Sequence, residues 1–375
     1  MLTYPELVAL ERSLRNERVL SVYLGGAAED PAARRVWRTD LNRSIRDLRR
    51  WLVGSSHDER EQFERCVALL DQTLAPFGGG LPSPGWAGFI TDRMVDDAER
   101  LPVPMPTMAV WSTGMCIAPY IRALKVTRPV IVAVADARAT CVYRFHAGAL
   151  TLLDRVHAYA TIDAPSHMGS VPRIGFHAGV RGQPAGDAVK RAHDVGTERM
   201  LREAELIIAK HAGVHGAIIV GGASRVARQL QQLLIASVSH RVLQLDSLHA
   251  DATESAVIQA AAAGASMLRN DEDLRRVAEI IAAHARHDGA TLGSAATRVA
   301  LEQRAVRELY VTGTYLEQHR VDAEGIVRLA LDQAATVEQV SGDAAVHLDE
   351  YGGVGARLRY HPAPAANALE EPSSA

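Results

Sequence analysis

The chain has 375 residues, 47% of them hydrophobic and 23% charged, which is the profile of a folded protein with room for roughly two to three domains. A net charge of −3 argues against a uniformly basic nucleic-acid binder; no apolar run is long enough to span a bilayer, and Met1 to Glu6 opens no secretory leader. Cys66, Cys116 and Cys141 form neither a CxxC pair nor an even set, so a soluble protein in the reduced cytoplasm is expected, its thiols acting as small buried apolar groups.

The first segment, residues 1–126, opens with a helical stretch from Tyr4 to Asn16 and a strand from Val19 to Leu24. A long helix follows from about Pro31, where proline suits a first turn. Trp37, Leu41, Ile45, Leu48 and Leu52 recur on it at helical spacing, and Arg35, Arg38, Arg43, Arg46, Arg49 and Arg50 fall on the opposite face. Between Arg34 and Arg50 seven arginines stand against two aspartates, a local patch that the whole-chain charge hides. A second helix covers His57 to Leu74; Gly78-Gly79-Gly80 breaks the chain; Gly85 to Thr91 and Met108 to Ser112 are extended, as is the proline-spaced connection from Pro102 to Pro106.

The second segment, residues 127–250, begins with a buried strand, Val130 to Ala135, a hairpin partner, Thr140 to Phe145, and a third strand, Ala149 to Val156. A loop of Gly, Pro, His and Ser then runs from Ala158 to about Gln183. A helix resumes near Pro184 and ends near His211. Strand Ala217 to Val220, the Gly221-Gly222 turn, helix Ser224 to Ser237 and strand Arg241 to Leu245 complete a mixed α/β layer. A long loop inside a compact domain is often functional, and this one, with the helix start behind it, is read as an RNA contact through Arg173, His177, Arg181, Gly182, Gln183, Lys190, Arg191 and His193, its cations suiting phosphates.

The third segment, residues 251–361, reads as two long helices, Ala252 to Leu268 and Asp271 to His287, then Ala296 to Arg304, strand Val306 to Val311, helix Ala323 to Ala334, and strands Thr336 to Val340 and Gly355 to Tyr360. Residues 362–375, rich in Pro, Ala and Ser, read as a disordered tail. No internal repeat is visible.

Three features together resemble one family: the ending Tyr351-Gly-Gly-Val-Gly-Ala-Arg-Leu-Arg-Tyr360, the hairpin-led order of the middle segment, and the opening Val19-Leu-Ser-Val-Tyr-Leu-Gly25 followed by Asp30-Pro31 and Trp37. The chain resembles the archaeal and eukaryotic release factor and Pelota superfamily, in particular its bacterial branch, the Balon-like ribosome hibernation factors. The resemblance implies an α/β protein of three domains: an N-terminal α/β domain, an RNase H-like middle domain, and a C-terminal α/β domain like that of Pelota and the kink-turn-binding ribosomal proteins. It implies a ribosome-binding translation factor in the A site that meets rRNA, possible tRNA contact, and a translational GTPase such as elongation factor Tu as a partner. No membrane, metal or cofactor is expected.

In the family's release factors the middle loop ends in a Gly-Gly-Gln tip. The corresponding stretch here is Gly179-Val-Arg-Gly-Gln-Pro184, with Arg181 where the first tip glycine belongs. Arginine opposes the positive-φ backbone that glycine permits. A hibernation or stress factor without peptide release is therefore expected, and no stop-codon-reading motif is seen. Two enzymatic alternatives stay open. One is a ribosome-rescue hydrolase that cleaves peptidyl-tRNA, using Gln183 beside Gly182 to position water. The other is an RNase H-like nuclease built on Asp136 and Asp246, although too few carboxylates converge for two metals. Gly221-Gly222 suits a phosphate cradle or, more simply, a tight turn. The arginine face of the long helix suits an RNA backbone or plain solvation.

Overall fold

A computed structural model describes residues 1–26, 36–78, 80–159, 185–213, 216–238 and 241–360; for 185–192 and 236–238 it describes the backbone alone. The chain divides into two compact units, Met1–Arg128 together with the chain from Asn270 onward, and Pro129–Arg269. The fold is mixed α/β with three sheets, one formed within each of the three sequence segments.

The first sheet begins with α1 (Tyr4–Leu14), β1 (Arg18–Gly25), α2 (Val36–Trp51) and α3 (His57–Leu74). It is completed by β2 (Gly85–Ile90), β3 (Val95–Leu101), β4 (Met108–Thr113) and α4 (Ala118–Val126). The strands are antiparallel in the order β3-β2-β1-β4. Alternation along β1 sends Leu20, Val22 and Leu24 to one face, where Trp37, Leu41 and Ile45 of α2 and Phe63 and Leu70 of α3 cover them. Val19 and Tyr23 go to the other, against α1 and α4. Burying a full set of Leu- and Phe-sized side chains is worth about 1.5–3 kcal/mol each, enough to hold α2 in its orientation. β3 and α4 escape the sequence reading: Asp96, Asp97, Glu99 and Arg100 give an edge strand a loop's composition, and α4 is a short helix of nine residues with Pro119 in its first turn.

The second unit contains β5 (Val130–Ala135), β6 (Ala139–His146), β7 (Ala149–His157), α5 (Ala185–Ala212), β8 (Ala217–Gly222), α6 (Ser224–Val238) and β9 (Val242–Gln244). Its strand order is β7-β6-β5-β8-β9. The three leading strands are antiparallel, and β5, β8 and β9 are parallel. One face of this sheet packs on α5 and α6, the other on Val257, Ala261 and Ala265.

Those last residues belong to α7 (Glu254–Ala285), one helix of 32 residues where the sequence suggested two. Asn270 and Asp271 are mediocre helix formers, but each costs well under about 1 kcal/mol in a helix interior and neither is Gly or Pro. The polar run marks a change of packing partner instead. Val277, Ile280 and Ala283 of the same helix bury against the third sheet. That sheet follows through β10 (Ala290–Leu292), α8 (Ser294–Glu302), β11 (Val306–Thr312), α9 (Gly313–Gln318), α10 (Arg320–Asp332), β12 (Thr336–Val340), α11 (Gly342–Asp349) and β13 (Val354–Leu358). Its order is β10-β13-β11-β12, with β11 and β12 parallel. Its outer helices α8 and α10 share one core with α1, α4 and the first sheet: Leu7 and Tyr120 join Leu301, Ile326 and Val337.

The terminal glycine motif has a structural cause. Gly352 and Gly353 enter β13 at φ +85° and +73°, and a Cβ on Gly353 would sit 2.7 Å from Thr312 Oγ1. Ala356 is fully buried, and Arg359 donates to the carbonyls of Gln333 and Ala334. Nothing in this ending points to chemistry.

Candidate nucleic-acid interface

The arginine-rich face of α2 is presented as its spacing requires: with Trp37, Leu41 and Ile45 held in the core, Arg38, Arg43, Arg46, Arg49 and Arg50 are all exposed. They are not equivalent. Arg49 makes a two-pronged bond to Glu64 of α3, Nε to Oε1 at 2.7 Å and Nη2 to Oε2 at 2.8 Å, and its guanidinium holds the Glu64 carboxyl below its ordinary range. Arg50 pairs with Asp47, and Arg43 lies 3.4 Å from Asp40. Arg38 leans on the Trp37 ring at 5.4 Å, and Arg46 donates to the Asn42 carbonyl at 3.3 Å. Among the described residues, neither of the last two has a carboxylate partner. They are the cations most ready for a phosphate. Arg35 lies outside the described residues.

A residue passed over in the sequence lies at the end of this helix. Trp51 is 63% exposed, whereas Trp37, Trp86 and Trp111 are 5% or less. Val53 beside it is also exposed. At 100° per residue Trp51 lies about 80° from the centre of the apolar stripe, so the signal was in the spacing. An exposed indole next to arginines offers a base a stacking surface.

Of the middle-loop candidates, Arg173, His177, Arg181, Gly182 and Gln183 lie outside the described residues, and for Lys190 and Arg191 only the backbone of α5 is described. His193 is exposed on the same helix.

The remaining sequence candidates have occupied polar groups. Asp136 Oδ1 accepts from the amides of Arg138 and Ala139 at 2.6 and 2.7 Å, closing the β5–β6 hairpin, and Asp246 Oδ1 accepts from Gln244 Nε2 at 2.7 Å. No three His, Cys, Asp or Glu side chains converge among the described residues. Gly221-Gly222 is a packing turn. The Gly222 amide donates to the Leu248 carbonyl, the Ala223 amide donates to that of Ala135, and a Cβ on Gly222, at φ +113°, would stand 2.0 Å from Ala135 O. With those two amides spent, the glycine pair itself offers a phosphate no donors. The cysteines differ from expectation in part: Cys66 is buried and its thiol pushed up to about 12 by burial, but Cys141 is half-buried and accepts from Arg155 Nε at 3.2 Å. Among the described residues no helix is long and apolar enough to cross a membrane.

No protein-family model matches the chain, and no curated protein matches it. Solved structures do. Dom34 of S. cerevisiae, a translation termination-like factor involved in RNA quality control and interacting with Hbs1, is similar at 13% identity over 64% of this chain and 66% of its own, with a TM-score of 0.43. Ribosome-bound archaeal Pelota is similar at 13% identity over 72% and 76% of the two chains, TM-score 0.43. Pelota of Archaeoglobus fulgidus is similar at 13% over 64% and 68%, TM-score 0.36. Likenesses of this size carry no function with them.

Proposed function

We propose that this chain is a ribosome-binding translation factor of the release factor and Pelota type, of the bacterial, Balon-like branch. In this reading it occupies the A site of idle ribosomes in the cytoplasm as a hibernation or stress factor, without efficient peptide release. The observation that carries it is the exposed arginine face of α2, where among the described residues Arg38 and Arg46 have no carboxylate partner, in a chain whose net charge is −3. The ordered motifs of the sequence support the family, and the strand order of the second unit supports an RNase H-like reading of residues 127–250. Residues 1–126 and 251–361 are read as its N-terminal and C-terminal domains, and a translational GTPase as its delivery partner. Arg181 in place of a tip glycine supports the absence of release.

Co-sedimentation with vacant ribosomes tests the reading. The parent should pellet with ribosomes at moderate salt, and changing Arg38, Arg43 and Arg46 together to glutamate should weaken binding by several kcal/mol, at about 1 kcal/mol or more per reversed phosphate contact. The same reversal of Arg181, Lys190 and Arg191 probes the middle loop separately. Absence of co-sedimentation even at low salt would sink the proposal. Rapid release of labelled peptide from stalled ribosomes, lost in Gln183→Ala, would replace it with the hydrolase.

A further inference from the structure

The first unit holds a cleft of about 440 Å³ that the reading above does not use. Strand β4 forms one wall with Met108, Val110 and Trp111, and α9 and α10 form the other with Leu316 and Val321. Its floor is Cys116 and Glu324. Glu324 accepts from the Ile117 amide at 3.0 Å. Arg328 crosses beside it, donating to the carbonyls of Thr113 and Met115 at 2.7 and 2.8 Å, while its buried Nε has no hydrogen-bond partner and lies 3.8 Å from Glu324. At the mouth stand Arg122 and Arg320, both exposed, and among the described residues neither is hydrogen-bonded or paired to a carboxylate. Val321, 91% exposed, adds bare apolar surface at the rim.

The volume and the mostly apolar lining with a few converging polar groups are those of a small-molecule site. The charge selects the class of molecule. Three arginines, Arg122, Arg320 and Arg328, face the space against two carboxylates, Glu317 and Glu324, which leaves a local excess of positive charge. Two unpaired guanidiniums over an apolar slot match a carboxylate, sulfonate or phosphate carried on a flat hydrocarbon or heteroaromatic body.

We propose that this cleft is a binding site for a small organic anion, its apolar body between Val110 and Leu316 and its charged group on Arg122 and Arg320. The site is independent of the α2 face, so it stands or falls without the ribosome. The test uses the full chain with 1-anilinonaphthalene-8-sulfonate, a planar anionic fluorophore, and its uncharged relative N-phenyl-1-naphthylamine. Saturable enhancement with one site per chain is expected for the anion. Affinity should fall at least tenfold in Arg122→Glu with Arg320→Glu, and in Val110→Glu, whereas the neutral dye should respond to Val110→Glu alone. Thermal melting checks that the variants fold; should the double reversal melt early, Arg122→Gln with Arg320→Gln should give a smaller loss of the same sign. Unsaturable binding, equal affinity for parent and arginine variants, or a neutral dye bound as tightly as the anion would each overturn the site.

Discussion

Asp97 on edge strand β3 faces a partly buried position where its Oδ2 has no hydrogen-bond partner. Burial first, and the neighbouring Glu99 second, push its carboxyl up to about 6. An unfolded aspartate titrates near 3.9, so between these values the folded chain binds the proton more tightly than the unfolded one. The stability this group lends is present below about pH 4 and is lost as pH rises through about 6. With solvent screening of a half-exposed carboxyl, the loss is on the order of 1 kcal/mol. Urea denaturation at pH 5 and pH 8 should show Asp97→Asn more stable than the parent at pH 8, with a smaller difference between the two pH values; an unchanged difference would mean that Asp97 titrates normally. At this scale the candidate site was half legible. Spacing predicted which α2 arginines would be exposed, because a core stripe fixes the opposite face. It did not predict that Arg49 would be taken by Glu64, fifteen residues on, because that pairing depends on how α3 returns across the sheet.

Among the elements, those with strong periodicity were readable: α3, β5, β8 and β11 fall where their apolar spacing puts them. Short or polar elements held by neighbours were not, β10 and α11 being examples. The undivided α7 is the clearest case, since its polar middle is satisfied from outside the helix. Asp273, two residues past the packing change, meets Lys125 Nζ of α4 at 2.5 Å, and Lys125 also donates to the Gln339 carbonyl at 2.7 Å and lies 3.7 Å from Glu338 of β12. Arg128 pairs with Glu338 as well. All three of Lys125, Asp273 and Glu338 are buried, and burial works against the Asp273 carboxylate, raising its pKa despite the lysine. Lys125→Met should leave that carboxylate uncompensated and cost about 3 kcal/mol or more. Lys125→Met combined with Asp273→Leu should recover most of the loss, because two well-packed apolar groups replace a pair that gains little net energy. Equal destabilisation in the single and double variants, measured by denaturant midpoint, would show that the pair is not coupled.

For the whole molecule, the mixed α/β arrangement was legible from the sequence, while the sharing of one core between the first and third sheets was not, since a core that joins Leu7 and Tyr120 to residues roughly two to three hundred positions later leaves no local pattern. Charge shows the same gap between local and global. On α2 five arginines outnumber two aspartates, and on the adjoining α3 five acids outnumber two arginines, so the two helices cancel within a chain of net charge −3. Such a pair is an electric dipole rather than a positive pole. Seen from many ångströms away by a polyanion the molecule is repelled, and only near contact does the dipole turn α2 forward. At ionic strengths of about 0.01 M, where the Debye length is about 30 Å, the repulsion reaches furthest; near 0.1 M it is confined to about 10 Å and the oriented attraction remains. If the chain binds ribosomes as proposed, stopped-flow association with them should therefore speed up with the first additions of salt, pass through a maximum and slow again, unlike the steady decline of a uniformly basic factor. Neutralising the acids of α3 with Glu61→Gln and Asp71→Asn should flatten the rising limb while leaving the falling one in place.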